Sequence, residues 1–349
     1  MSLKKIRARA PLRLGLAGGG TDVSPFCDRF GGAILNFTID RYAYATLEEV
    51  ATDSIEFTAR DLKRSVSFSA DTLPPVTGDL KLHRGVYRRI MEDFNGGKSM
   101  AVRLVTSVDS PIGSGLGSSS SLVVAMIEAF RGLMNLPLGE YEVAQLAFRV
   151  EREDLGLAGG RQDQFAATFG GVNFMEFHED NRVIVNPLRI RSTALYELEA
   201  SLLLHFSGVS RESARIIESQ SKAAHADHDS QQLKALHDIK NDAYAIKDAL
   251  MMGDIERMAE VISNSWEAKK KTSSKITSAA INHTIETALN AGALAAKVSG
   301  AGGGGFMYFL VDPEMRANVQ HALSEHPGYT SLCHLTTVGS EFWSVKREA

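Results

Sequence analysis

The sequence predicts a two-domain protein of mixed strands and helices, and three observations carry that expectation. They are the chain length, glycine-rich turns set where strands end or helices begin, and a change near residues 187–192 from alternating elements to mostly helices. At 349 residues the chain is too long for one small core. We therefore expect domains at 1–190 and 191–349. A composition of 44% apolar and 23% charged residues is ordinary for a soluble protein. Lys plus Arg number 38 against 42 Asp plus Glu, a formal −4, which gives no basic excess for nucleic acid or an acidic membrane. A small-molecule partner is expected. The two cysteines, Cys27 and Cys333, support neither a disulfide framework nor a zinc site, and they fit a reducing compartment, so a cytoplasmic protein is expected. The basic stretch 4–13 leads into an apolar run broken at Gly18, Gly19 and Gly20, too short for a signal-peptide core, and no run reaches the length of a membrane span.

Residues 6–17 alternate as a strand, with Pro11 marking a bulge or edge, and end in Gly18-Gly19-Gly20-Thr21-Asp22. Further strands are expected at 38–48, 54–57, 66–69 and 100–106, with a helix at 78–94 before the last of these. Residues 122–134 and 138–155 carry apolar side chains at helical spacing. A turn at 159–165 opens a short helix, and 172–177 with 181–186 reads as a hairpin. Beyond the boundary we expect a buried strand at 200–206 and helices at 211–224, 233–252, from 254 and at 277–291. The glycines of 297–306 lead into a strand at 307–311, then a helix from 313 and closing strands at 332–338 and 341–345.

The stretch 110–122 joins a glycine-rich turn to an apolar helix and looks like a phosphate cradle. Gly113, Gly115 and Gly117 can take positive φ and turn successive amides toward one anion, and Ser118 to Ser121 fall where an N-cap and first turn would be. A flexible Gly/Ser linker would not need to run straight into an amphipathic helix. Gly300 to Gly305 match a dinucleotide fingerprint, but a strand comes after them where a helix should, and no Walker A sequence occurs. Phosphoryl transfer also needs charge neutralisation and something to manage the acceptor proton. Glu151, beside the apolar face of its helix, is a candidate for Mg²⁺, with a solvated carboxylate as the equal alternative. For Asp163, capping a helix start competes with catalysis and, on local sequence, is the stronger reading.

Taken together and in order, the segments 11–22, 111–121 and 297–305 resemble the three motifs of the GHMP kinases, which include galactokinase, homoserine kinase and mevalonate kinase. The resemblance covers nearly the whole chain. It implies an α+β fold, with an N-terminal domain like the second domain of ribosomal protein S5 and a ferredoxin-like C-terminal domain, ATP and acceptor meeting between them. It also implies that the loop of Pro111, Gly113, Ser114, Gly115, Leu116, Gly117, Ser118, Ser119 and Ser120 binds ATP, and that Ser118 or Ser119 joins Glu151 at Mg²⁺. Asp163 would be the catalytic base and Arg13 the cation beside it, the twelve-residue spacing from Glu151 to Asp163 matching that of galactokinases.

The first motif departs from galactokinases, with Gly19-Gly20 in place of Glu-His, and resembles the subgroup that phosphorylates an anomeric hydroxyl. Heptose 7-phosphate kinases and the kinase portion of fucokinases form that subgroup. Gly18, Gly19, Gly20, Thr21, Asp22, Gly302 and Gly303 are the substrate-side candidates, and Arg161 and Arg211 are candidates for a substrate phosphate. The run Lys269-Lys270-Lys271 reads rather as a solvated helix face, and His225 and His228 as exposed. The chain length resembles the stand-alone heptose kinase, which makes the 1,7-bisphosphate for surface polysaccharide. L-Fucose is the alternative acceptor, a non-catalytic sugar or nucleotide sensor is the alternative of another class, and a homodimer is admitted.

Overall fold

The structure is a computed structural model that describes residues 3–111, 113–210, 216–217 and 230–346. In chain order its first part runs β1 (Lys5–Ala17), α1 (Phe26–Phe30), β2 (Gly32–Glu49), β3 (Ser54–Ala59), β4 (Arg64–Ser69), α2 (Lys81–Phe94), β5 (Val102–Val108), α3 (Ser118–Met134), α4 (Glu140–Arg149), α5 (Gln162–Phe169), β6 (Val172–Phe177) and β7 (Val183–Pro187). These strands build one sheet in the order β1-β2-β5-β3-β4, with the hairpin β6-β7 joined to the other half of β2. β2 is much longer than the expected 38–48. Its first half pairs with β6 on one edge and β1 on the other, so that Ala33 to Ile39 are all buried and show no alternation. The β1–β2 register shifts at Pro11/Leu12, where proline cannot donate a ladder hydrogen bond.

The second part contains α6 (Ser192–Ser201), β8 (Leu202–Phe206), α7 (Gln231–Met252), α8 (Ile255–Thr272), α9 (Ala279–Asn290), β9 (Ala293–Val298), β10 (Phe306–Val311), α10 (Arg316–Leu323), β11 (Tyr329–Leu332) and β12 (Glu341–Ser344). The second sheet has the order β11-β8-β10-β9, the ferredoxin-like arrangement. Three elements here depart from expectation. α6 fills the place read as a boundary, and β9 was hidden because Ala-Leu-Ala-Ala-Lys-Val favours helix by propensity, whereas pairing with β10 makes it a strand. The strand expected at 332–338 lies earlier, at Tyr329–Leu332, and the segment after it reaches the first sheet through a Leu335–Ile39 bridge. The expected helix 211–224 and the pair His225 and His228 lie outside the described residues, apart from Ile216 and Ile217. The chain then returns, and β12 pairs with β1 at the edge of the first sheet.

Two cores position the cleft. One packs α3, through Met126 and Phe130, against the first sheet and α2, and the other is shared by both sheets, with Leu12, Leu14 and Leu116 meeting Phe306, Tyr308 and Ile246. At the seam the Lys297 ammonium donates to Ser265 Oγ at 2.8 Å and Leu16 O at 3.3 Å, and the Tyr308 hydroxyl also donates to Leu16 O at 2.9 Å. The end of β1 is thereby pinned to the second sheet. The glycine segment after β9 then packs backbone to backbone on the phosphate-cradle loop. Phe306 N donates to Ser114 O at 2.8 Å, and Ser299 Oγ to Gly115 O at 2.9 Å.

Gly115, at φ +81°, would bring a Cβ within 2.6 Å of Ser299 O. Gly115→Ala should therefore lower the urea midpoint, with a loss on the order of 1–3 kcal/mol from the strained backbone and the close contact. An unchanged midpoint would show that the two segments are not tightly packed in solution.

Candidate active site

The cleft between the two sheets has a volume of about 560 Å³ and brings together Arg13, Asp22, Glu151, Asp163, Lys269 and Gly300. Its floor is the loop before α3. Gly117 is the N-cap of α3 at φ 74°, and Gly113, Gly115, Gly117, Ser118 and Ser119 all face the cavity. The remaining candidates of that loop support it from outside. Pro111 O receives Ser114 N at 3.2 Å, the Ser114 hydroxyl accepts from Ser110 at 2.9 Å, and Leu116 sits in the shared core with its carbonyl on Arg13 N at 3.0 Å.

Arg13 is almost wholly buried, and its guanidinium divides between two partners. Nε donates to Asp163 Oδ1 at 2.7 Å and Nη1 to Gly115 O at 2.6 Å. Asp163 thus does not cap its helix. Asp22 does so from a distance: its Oδ2 accepts the amides of Arg161 at 2.9 Å and Gln162 at 3.1 Å, and Oδ1 accepts Gly20 N at 3.3 Å. Burial, with repulsion from Asp163 added, pushes the Asp22 carboxyl above the usual carboxylate range despite these amides. A Cβ on Gly160 would run into the same carboxylate. Asp163 is left aimed into the cleft, with its side chain 23% exposed.

Glu151 is fully buried because the helix expected at 138–155 widens at its end. α4 stops at Arg149, and a π-turn over Val150–Asp154 turns Glu151 inward. Its carboxylate accepts Ser120 Oγ at 2.6 Å, Gln164 Nε2 at 2.5 Å and Ser119 Oγ at 3.3 Å. Ser120 thus serves the carboxylate from the buried side of α3.

The substrate-side candidates separate. Gly19, Gly20 and Asp22 face the cleft, whereas Gly18 and Thr21 close the turn, Thr21 Oγ1 donating to Gly18 O at 2.8 Å and Ala33 O at 3.0 Å. Gly302 and Gly303 are placed against Ile276, with Gly303 N donating to Ile276 O at 2.7 Å, and it is Gly300 and Ala301 that line the cavity. Arg161 faces an adjoining cavity and is paired with Asp28 at 2.7 Å. Arg211 lies outside the described residues.

Family models for the GHMP kinases N terminal domain and the GHMP kinases C terminal match residues 81–171 and 243–328. A D-glycero-alpha-D-manno-heptose 7-phosphate kinase of Campylobacter jejuni is 44% identical over 343 residues, covering 98% of this chain and all of that one. The chain belongs to the GHMP kinases. A solved structure titled a D-glycero-D-manno-heptose 1-phosphate kinase from Bacteriodes thetaiotaomicron superposes with a TM-score of 0.83 at 39% identity, over 98% of this chain and 100% of the other. An L-fucokinase/L-fucose-1-P guanylyltransferase of Bacteroides fragilis is 24% identical over 346 residues, with 91% of this chain but only 36% of that protein covered.

For a GHMP kinase the cleft supplies the parts of phosphoryl transfer in one place: an amide-lined loop at a helix N-terminus, a carboxylate aimed at the cavity and cations beside it. The Glu151 carboxylate with the Ser119 hydroxyl beside it also suits Mg²⁺, which takes one or two carboxylates and leaves other positions to phosphate and water. The described residues hold no cluster of three His, Cys, Asp or Glu side chains, so phosphates and water would have to complete such a shell.

Lys269 corrects the reading of 269–271 as a solvated face. Only Lys270 and Lys271 are on the outside; Lys269 is buried in the cleft wall, its ammonium on Gly300 O and close to Gly19. The position in α8 could have been flagged only by its helical phase, since Val261, Ile262, Ser265, Trp266 and Lys269 share one buried face. Burial, then the charges of Lys297 and Arg13, push its pKa down to about 7, with Asp22 opposing. Above that pH Lys269 should be neutral without ligand, and a bound phosphate should restore its proton. Calorimetry of a non-hydrolysable ATP analogue near pH 8, in buffers of different ionisation enthalpy, should show more proton uptake by the wild type than by Lys269→Met. Equal uptake would show that this ammonium does not face the bound anion.

Proposed function

We propose that this chain is an ATP- and Mg²⁺-dependent kinase that phosphorylates the anomeric hydroxyl of D-glycero-D-manno-heptose 7-phosphate. The product would be the 1,7-bisphosphate, a precursor of nucleotide-activated heptose for surface polysaccharide. The observation that carries this reading is the Arg13–Asp163 pair at 2.7 Å, set against the glycine loop with Asp163 open to the cleft. The near full-length identity of 44% to the Campylobacter jejuni heptose 7-phosphate kinase supports the choice of acceptor.

In this reaction Asp163 accepts the proton of the anomeric hydroxyl as its oxygen attacks the γ-phosphorus. The new bond joins the C1 oxygen to the γ-phosphorus; the bond broken is that from the γ-phosphorus to the β,γ-bridging oxygen, and ADP leaves. Arg13 orients the Asp163 carboxylate by donating to its Oδ1, while the amides at the start of α3 and the dipole of that helix stabilise charge on the phosphates. Mg²⁺, held by Glu151 with Ser118 or Ser119, would neutralise the phosphate oxygens. Lys269 adds a cation on the opposite wall, beside Gly19 and Gly300.

The two heptose kinases named above differ in which end of their sugar carries phosphate, so the acceptor panel should contain both monophosphates. We expect ATP consumption to be fastest with heptose 7-phosphate and slower with heptose 1-phosphate, L-fucose, D-galactose and mevalonate. Preference for L-fucose would move the chain to the other branch of its subgroup, and ATP binding without turnover of any acceptor would favour a sensor. Asp163→Asn should lower kcat by about 10²–10⁴-fold with little change in KM for ATP. An unaltered kcat would remove Asp163 from the role of base.

A further inference from the structure

The cleft does not end at Asp22. A second cavity of about 450 Å³ adjoins it through a common wall that runs from Asp22 past Arg152 to Gly159. Among the described residues this lobe is lined by neither Arg13, Asp163 and Glu151 nor the glycine loop, so it lies off the path of the ATP phosphates. Phe148 and Arg161 form much of its remaining wall.

Two guanidiniums, Arg152 and Arg161, and one carboxylate, Asp22, line it. Arg161 is held with Nη2 on Asp28 at 2.7 Å and Ser24 Oγ at 3.1 Å, and Nη1 on His178 O at 3.0 Å. Arg152 is anchored mainly by neutral groups, Nε on Gly160 O and Nη1 on Leu157 O, both at 3.3 Å. Its nearest carboxylate oxygen, Glu151 Oε1, is 3.8 Å away, beyond hydrogen-bond distance, and also accepts Ser119 Oγ at 3.3 Å. Asp22 is the lobe's own carboxylate, and its oxygens are taken up by amides. A largely buried guanidinium fixed mainly by carbonyls, with no carboxylate within hydrogen-bond distance among the described residues, has the donors to receive an oxyanion.

We propose that this lobe binds the phosphate that the acceptor sugar already carries, with Arg152 donating to it and Arg161 forming the far wall. The assignment rests on the function proposed above: a sugar with its reacting hydroxyl at Asp163 extends past Asp22, and a phosphate at its other end enters the lobe. A neutral hexose would leave Arg152 without that partner. Acceptor choice is then set by the 148–161 segment.

The test compares D-glycero-D-manno-heptose 7-phosphate with the unphosphorylated heptose in wild type, Arg152→Met and Arg152→Lys. Loss of a charge-assisted bond to phosphate should raise KM for the 7-phosphate about ten- to a hundredfold in Arg152→Met and collapse the preference for the phosphorylated sugar. Arg152→Lys should fall between. Thermal stabilisation by a non-hydrolysable ATP analogue should persist in both variants, which separates a lost phosphate contact from a disturbed fold. Ala158→Glu, at an exposed position on the shared wall, places a carboxylate in the lobe without cutting the Arg152 bonds, and it should raise KM for the 7-phosphate more than for the free sugar. If the wild type uses heptose 7-phosphate and neither Arg152→Met nor Ala158→Glu changes the preference, the lobe assignment is overturned and the function stands. If the wild type does not use heptose 7-phosphate, the proposed function itself fails.

Discussion

The site depends on one buried guanidinium. Arg13 lies in the middle of β1, and its backbone amide and side chain reach Leu116 O, Gly115 O and Asp163. A buried cation is costly unless it is paired and hydrogen-bonded, and both conditions are met here by groups that the proposed chemistry needs. The glycine loop is fixed through its carbonyls, which leaves its amides and the start of α3 facing the cavity. The carboxylate is fixed through Oδ1, and its other oxygen is left to the cleft. One side chain thus sets the distance between the phosphate cradle and the proposed base.

Around that contact the three glycine-rich segments divide the work unequally. The second faces the cavity, the first forms a turn whose Asp22 holds the amides at the start of α5, and the third is used mainly for close packing against the second. Glycine appears in the third segment because backbone lies on backbone: side chains at Gly300 would meet Gly115, and at Gly302 would meet Ile276. Two carboxylates, Asp22 and Asp163, are thereby held near each other in different roles. Asp22 is buried and spent on amides, and Asp163 is exposed to the cleft.

Much of this is legible in the chain because strands with period-two burial and a glycine turn leading into an apolar helix are local signals. The α+β class, the three glycine motifs and the cleft positions of Arg13, Glu151 and Asp163 rest on such signals combined with the family resemblance. What was not legible depends on contacts distant in sequence. The roles of Glu151 and Asp163 were ambiguous locally, since a π-turn decides the direction of one and Asp22 relieves the other of capping. Lys269 looks like its neighbours until α8 is laid against β1 and β9. The same limit hid β9, whose alanines favour helix until β10 supplies a ladder.

The central claim is that Arg13 and Asp163 act as a unit, the arginine working through the carboxylate and the loop it also holds. A double-mutant cycle on kcat, using Arg13→Met, Asp163→Asn and the double variant with saturating ATP and acceptor, tests this most directly. If the account is right, the double variant is scarcely slower than the slower single variant, because the pair has one function to lose. If the two losses multiply, Arg13 and Asp163 contribute independently and the account is contradicted.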